Sequence, residues 1–140
     1  YNDIGFFSEG LAPVKRKSKW GYMDAKIKLQ TDYTYEQASE FSEGLARVKK
    51  NGKFGFIDAK GKVIIAFMFD DAGDFKNGLS KVILGGKYGF IDTKGEPVLP
   101  CEIDVISETE TPNILKVEKS GKMAYFNIKS RKYIWQEEGF

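Results

Sequence analysis

The sequence predicts an all-β protein built from tandem three-stranded antiparallel meanders, stacked as an open, elongated, solenoid-like array. Three observations predict it. Phe7, Phe41 and Phe75 are evenly spaced, and the same step separates Gly10, Gly44 and Gly78, Leu11, Leu45 and Leu79, and Val14, Val48 and Val82. A fixed period of this size, about 34 residues, marks units that cannot bury their own faces and must stack. The phrase Lys53-Phe54-Gly55-Phe56-Ile57-Asp58 recurs as Lys19-Trp20-Gly21-Tyr22-Met23-Asp24, as Lys87-Tyr88-Gly89-Phe90-Ile91-Asp92, and in altered form as Lys122-Met123-Ala124-Tyr125-Phe126-Asn127. Asn51-Gly52 between two apolar runs is a hairpin signal, because a type I′ turn needs positive φ twice.

The units are set at 7–40, 41–74 and 75–110, with 1–6 as the tail of a preceding repeat and 111–140 as a degenerate C-terminal cap. Residues 1–7 align with 35–41 and 69–75, so the chain is expected to be cut from a longer array. In unit one, Phe7-Ser8-Glu9-Gly10 is a turn, Leu11 to Arg16 and Lys19 to Asp24 are strands, and Lys17-Ser18 is the tip between them. Ile27 stands where units two and three have Gly61 and Gly95. A β-branched residue resists positive φ, so this turn is expected to differ from its siblings.

In unit two, Leu45 to Lys50 and Lys53 to Asp58 form the hairpin, and Asp58-Ala59-Lys60-Gly61 leads into a third strand, Lys62 to Phe67. Asp suits the first position of a type I turn and Gly the left-handed residue after it. Unit three repeats the design with Gly85-Gly86 at the tip. Pro97 and Pro100 mark its third strand as a short or edge strand, since proline cannot donate to a ladder. Ser107 to Pro112 reads as a polar loop. Unit four loses the second-turn glycine, as a capping unit does.

Alternation places Phe54 and Phe56 on one face of their strand and Ile57 on the other. The core columns are Leu11/Leu45/Leu79/Ile114, Val14/Val48/Val82/Val117, Tyr22/Phe56/Phe90/Tyr125, Met23/Ile57/Ile91/Phe126 and Phe7/Phe41/Phe75. Gly21, Gly55 and Gly89 sit between aromatics inside a strand, which marks a close approach by a neighbouring strand or aromatic ring. A propeller blade needs four strands in about 40 or more residues. With three strands in a unit shorter than that, β-propeller-like closure is the alternative and the open stack the expectation.

These residues resemble the WG (KWG) repeat, a β-rich tandem repeat found mostly in bacteria. Lys19-Trp20-Gly21 carries the literal Trp-Gly; the other units have Phe-Gly, Tyr-Gly and Met-Ala there. The resemblance implies a repeat of varied function with no catalytic residues to carry over.

Composition narrows the function classes. Lys and Arg number 22 against 20 Asp and Glu, a net charge of +2, too balanced for a nucleic-acid binder. The 140 residues contain no histidine, which removes Ser-His-Asp and Cys-His nucleophiles and His-based metal sites. Cys101 is the single cysteine and reads as a half-buried small hydrophobe. Asp24, Asp58 and Asp92 recur at turns, as a structural device does. No catalytic residue, metal ligand or cofactor is expected, and no apolar run is long enough for a transmembrane helix.

Two columns could carry binding. Trp20, Phe54 and Tyr88 would form an aromatic ladder if they faced outward, suited to sugars or a peptide. Their alternative role is packing between repeats. Lys19, Lys53 and Lys87 form a ridge that could follow an anionic ligand; otherwise they keep strand edges soluble. The leading expectation is a non-catalytic scaffold for a protein partner. The second is a carbohydrate-binding module for an envelope polysaccharide, which would place the chain at the cell envelope or outside the cell. An enzyme ranks last.

Overall fold

The computed structural model describes residues 3–140, so the first two residues of the expected leading tail lie outside it. Among the described residues there is no helix, and sixteen strands form four antiparallel sheets of four. The first sheet comprises β1 (Asp3–Ile4), β2 (Leu11–Arg16), β3 (Lys19–Asp24) and β4 (Leu29–Tyr35), and the second β5 (Gln37–Ala38), β6 (Ala46–Lys50), β7 (Lys53–Ile57) and β8 (Val63–Phe69). The third holds β9 (Asp71–Ala72), β10 (Ser80–Leu84), β11 (Lys87–Ile91) and β12 (Pro97–Ile103), and the fourth β13 (Val105–Glu108), β14 (Ile114–Lys119), β15 (Lys122–Asn127) and β16 (Lys132–Gln136). Each sheet is a meander in chain order.

The expected three strands per unit are therefore one too few. The missing strand is the return segment, which pairs for only two residues: Ala38 opposite Val48, and Ala72 opposite Val82. Two residues are too short for an alternating pattern. The fourth sheet differs again. Ser107 and Glu108, expected in a loop, extend β13 and pair with Lys116 and Leu115.

All four hairpin tips have two consecutive positive-φ residues: Lys17-Ser18, Asn51-Gly52, Gly85-Gly86 and Ser120-Gly121. The second turns of the first three sheets are alike as well, which corrects the expectation for Ile27. Its φ is 65°, and its amide donates to Asp24 O at 3.0 Å, as Gly61 donates to Asp58 O at 3.0 Å. The Asp side chain imposes the turn. Asp24 Oδ1 accepts from the amides of Lys26 and Lys28, and Asp58 and Asp92 bind the matching amides of their own turns. Ile27 is held there under strain and projects into solvent.

The last strands of the first three sheets, β4, β8 and β12, are bulged. Trp20 faces Tyr35 and Tyr22 faces Thr31, so three residues of β4 span the place of Gly21. The bulge presses backbone against the glycine. A Cβ on Gly21, Gly55 or Gly89 would lie 2.7, 2.6 or 2.5 Å from the carbonyl oxygen of Thr31, Ile65 or Leu99. The close neighbour is thus a strand of the same sheet. Sheet four has Ala124 in this column, and there Ala124 and Tyr125 pair with Gln136 and Trp135 without a bulge between them.

The core divides into three seams between consecutive sheets. Leu11, Tyr22 and Tyr35 meet Phe41, Val48 and Ile57 in the first. Phe54, Phe56 and Phe69 meet Phe75, Val82 and Ile91 in the second. Phe90, Leu99 and Ile103 meet Val117, Ala124 and Phe126 in the third. Most expected core columns lie here. Five members do not: Val14 and Met23 are buried on the first sheet but outside the three seams, Ile114 and Tyr125 in the last sheet are half-buried, and Phe7 is 48% exposed whereas Phe41 and Phe75 are 3% and 2% exposed.

Candidate functional site

The aromatic column points inward at its centre. Phe54 is only 7% exposed and belongs to the second seam. Arg47 Cζ and Lys49 Nζ lie 5.8 and 5.5 Å from its ring centroid, close enough for cation–π attraction. Trp20 packs half-buried against the first seam and Tyr88 against the third, where Lys81 Nζ stands 5.8 Å from the Tyr88 centroid. The three rings sit on three different seams, and Phe54 offers no open face between the outer two.

The lysine ridge is partly engaged. Lys53 pairs with Asp70 and Lys87 with Asp104, while Lys19 is exposed. The acids have a second task. Asp70 Oδ2 accepts from the Gly85 amide at 2.8 Å and Asp104 Oδ2 from the Ser120 amide at 2.9 Å. Glu36, one period earlier, accepts from the Asn51 amide at 2.6 Å. Each acid therefore ties the hairpin tip of the next sheet. The lysine bond, followed by the tip amide, holds the Asp70 and Asp104 carboxyls below their ordinary range.

A second set of joints closes the seams at the glycine turns. Ser8 Oγ donates to Phe41 O at 2.6 Å and Ser42 Oγ to Phe75 O at 2.7 Å. Glu9 accepts from the Gly44 amide at 2.9 Å and Glu43 from the Gly78 amide at 2.7 Å. These joints deliver an aromatic plug. The Phe41 ring meets Tyr22 edge-on at 4.9 Å between centroids, and Phe75 meets Phe56 at 4.8 Å. The Tyr22 hydroxyl also donates to Ser39 O. Burial pushes that phenol well above its ordinary range.

The third seam has no plug. Where the chain leaves the sheet at Gly73 to place Phe75, β13 runs on to Glu108. Thr109 then turns inward and donates to Ile114 O at 2.8 Å. A cavity of about 730 Å³ opens beside Phe90, walled by Leu79, Ile106, Leu115 and Ile128. Sequence reasoning missed it. The signal was available, since the Phe7/Phe41/Phe75 column ends in Thr109 one period later.

A third feature is the outer edge. β4, β8 and β12 each end their sheets, so one backbone edge of each lacks a ladder partner within its own sheet. On β8, Val63 and Met68 are each 46% exposed, and Ile64 is exposed between them. Leu29 on β4 holds the same column as Val63 and is exposed too. Cys101 on β12 is half-buried, and burial raises its thiol above the ordinary value. Among the described residues, no group of three or more Cys, Asp or Glu is arranged to hold a metal, and no helix is long and apolar enough to cross a membrane.

The WG containing repeat matches the chain four times in tandem, at residues 1–20, 20–54, 54–88 and 88–122. The chain belongs to the WG-repeat family. No curated protein matches it. The family matches advance by one repeat at a time, in step with the recurring columns and with successive sheets. The tandem organisation and all-β class thus rest on both sequence and structure.

Proposed function

We propose that this array is a non-catalytic scaffold that engages a protein partner along its outer strands. The observation that carries this reading is the exposed apolar run Val63-Ile64 and Met68 on β8, an edge strand, continued by Leu29 on β4. An open strand edge with apolar side chains beside it suits an added strand from another chain: backbone hydrogen bonds supply affinity and side-chain pockets supply selectivity. Left uncovered, such an edge is a liability for aggregation.

The open stack is part of the same proposal. The buried clusters join the first sheet to the second, the second to the third and the third to the fourth, which is the order of contacts an open stack requires. Stacks of this kind present an extended face. Small-angle scattering that gave a ring-like, near-isotropic particle would refute the open arrangement.

The partner reading is tested by quantitative affinity capture from extracts of the source cells, using the parent chain and a Val63→Lys/Met68→Lys variant. A defined set of proteins retained by the parent and lost with the variant supports it. Equal retention by both, or saturable pelleting with cell-wall polysaccharide that free sugar competes away, would turn the reading toward carbohydrate binding.

A further inference from the structure

We infer that the third seam is a peptide-binding socket for an aromatic side chain flanked by carboxylates, presented by another protein. The argument starts from the two filled seams. In each, a Phe from the segment Phe-x-x-Gly is laid edge-on against the aromatic of the preceding sheet, Phe41 on Tyr22 and Phe75 on Phe56. The third sheet keeps the receiving ring, Phe90, and its apolar surround. The fourth sheet withholds the plug, because β13 stays paired with β14 through Glu108 and Leu115. The result is a solvent-open cavity of about 730 Å³ beside Phe90, at the place of the earlier plugs, with 9% of the Phe90 surface exposed.

The rim selects the flanking residues. Lys76, Lys81, Lys129 and Arg131 surround the opening, against the two carboxylates Asp74 and Glu108. Asp74 already faces Arg47 at 3.9 Å, whereas none of the four cations joins an ion pair among the described residues. Lys76 occupies the column of Ser8 and Ser42, whose hydroxyls bind the plug's own carbonyl. A peptide that brings an aromatic ring and adjacent acids therefore meets an apolar floor and a basic margin. The segment 38–46 of this chain, Ala-Ser-Glu-Phe-Ser-Glu-Gly-Leu-Ala, is an example of that chemistry. The inference rests on the protein-binding reading but uses none of the β4 and β8 edge residues. Failure here and failure of the edge reading are therefore distinguishable.

The probe is a fluorescent peptide of sequence ASEFSEGLA, titrated with the intact chain by anisotropy and by amide chemical-shift mapping. Saturable binding is expected, with shifts centred on Phe90, Leu115 and Ile128. The Phe→Ala peptide is expected to bind about tenfold more weakly or worse. The exposed pair Lys129→Glu/Arg131→Glu is expected to weaken the parent peptide about tenfold while leaving the circular-dichroism melt unchanged. No saturable binding up to about 1 mM peptide, or equal binding of the Phe→Ala peptide, overturns the inference. So does equally tight binding of free 3-phenylpropionate, which would make this a small-molecule pocket. Concentration-dependent self-association abolished by Phe7→Ser would assign the socket to a second copy of the chain instead.

Discussion

Replacing Gly55 by alanine adds one methyl group at the most crowded backbone crossing of the second sheet. The new Cβ would lie 2.6 Å from Ile65 O and 3.0 Å from both Ala66 C and Phe67 N. All three are backbone atoms of the bulge in β8, so no side chain can swing aside. Relief requires moving the strand by several tenths of an ångström, and Ile65 and Phe69 on that strand fill the second seam. Overpacking of a closed core costs ~1–3 kcal/mol. Immobile backbone on both sides puts this case at the upper end, about 3 kcal/mol. The ordinary gain from replacing a strand glycine by alanine, ~0.5–1 kcal/mol, returns part of it. The expected net loss is about 2 kcal/mol, or roughly 6–8 °C in melting temperature for a chain of this size. Thermal and urea denaturation of the variant and parent, followed by circular dichroism, measure it. Ala124→Gly is the control. No bulge lies between Ala124 and Tyr125, so the reverse change relieves no backbone clash and should cost about 1 kcal/mol in strand preference and about 1 kcal/mol more for the buried methyl group. A Gly55→Ala protein that melts within about 2 °C of the parent would refute the account of the glycine column.

Ile27→Gly should raise stability by about 1 kcal/mol, because it removes a β-branched residue from the left-handed region at an exposed turn; a lower melting temperature would show that Ile27 is not strained. Tyr22→Phe should cost ~1–2 kcal/mol by leaving Ser39 O without its donor in a buried seam, readable as a shifted urea midpoint. The folded-state carboxyls of Asp70 and Asp104 titrate below their ordinary value of 3.8. A depressed folded pKa means stability that is present above 3.8 and lost as pH falls through the folded value. An Asp70→Asn/Asp104→Asn variant should therefore lose less melting temperature than the parent between neutral pH and about pH 3, by a small margin, since these exposed pairs are screened.

What the sequence shows of this fold depends on where the information sits. The hairpin tip Asn51-Gly52 and the turn Asp58 to Gly61 are legible because their residue types carry the backbone geometry themselves. Lys17-Ser18 and Ile27 are less so. Their tips adopt positive φ without glycine because strand pairing on one side and the Asp24 carboxylate on the other impose it. The short first strand of each inner sheet is illegible for a different reason, as two residues at Gln37–Ala38 or Asp71–Ala72 have no period to detect. The Gly21/Gly55/Gly89 column announces a close approach but not its source, which depends on a bulge in the following strand. The candidate aromatics divide in the same way. Alternation puts Phe54 beside Phe56, yet which sheet covers it is a matter of stacking that no local pattern records. The cavity beside Phe90 is legible only as a break in the Phe column, and only once that column is known to be a plug.

The joints between sheets have a consequence for how the array can vary. On one side they consist of short carboxylates or serine hydroxyls, and on the other of main-chain amides and carbonyls: Glu9 to the Gly44 amide, Ser8 to Phe41 O, Asp70 to the Gly85 amide. The receiving groups belong to the polypeptide itself and are present whatever side chain stands there. A duplicated or deleted unit would therefore meet its new neighbour through the same fittings, and the outward residues of each sheet could change without altering how the next one seats. Length and surface are thus separate variables in this design: a lineage could lengthen the array by copying and diversify its faces by point substitution, with neither change undoing the other.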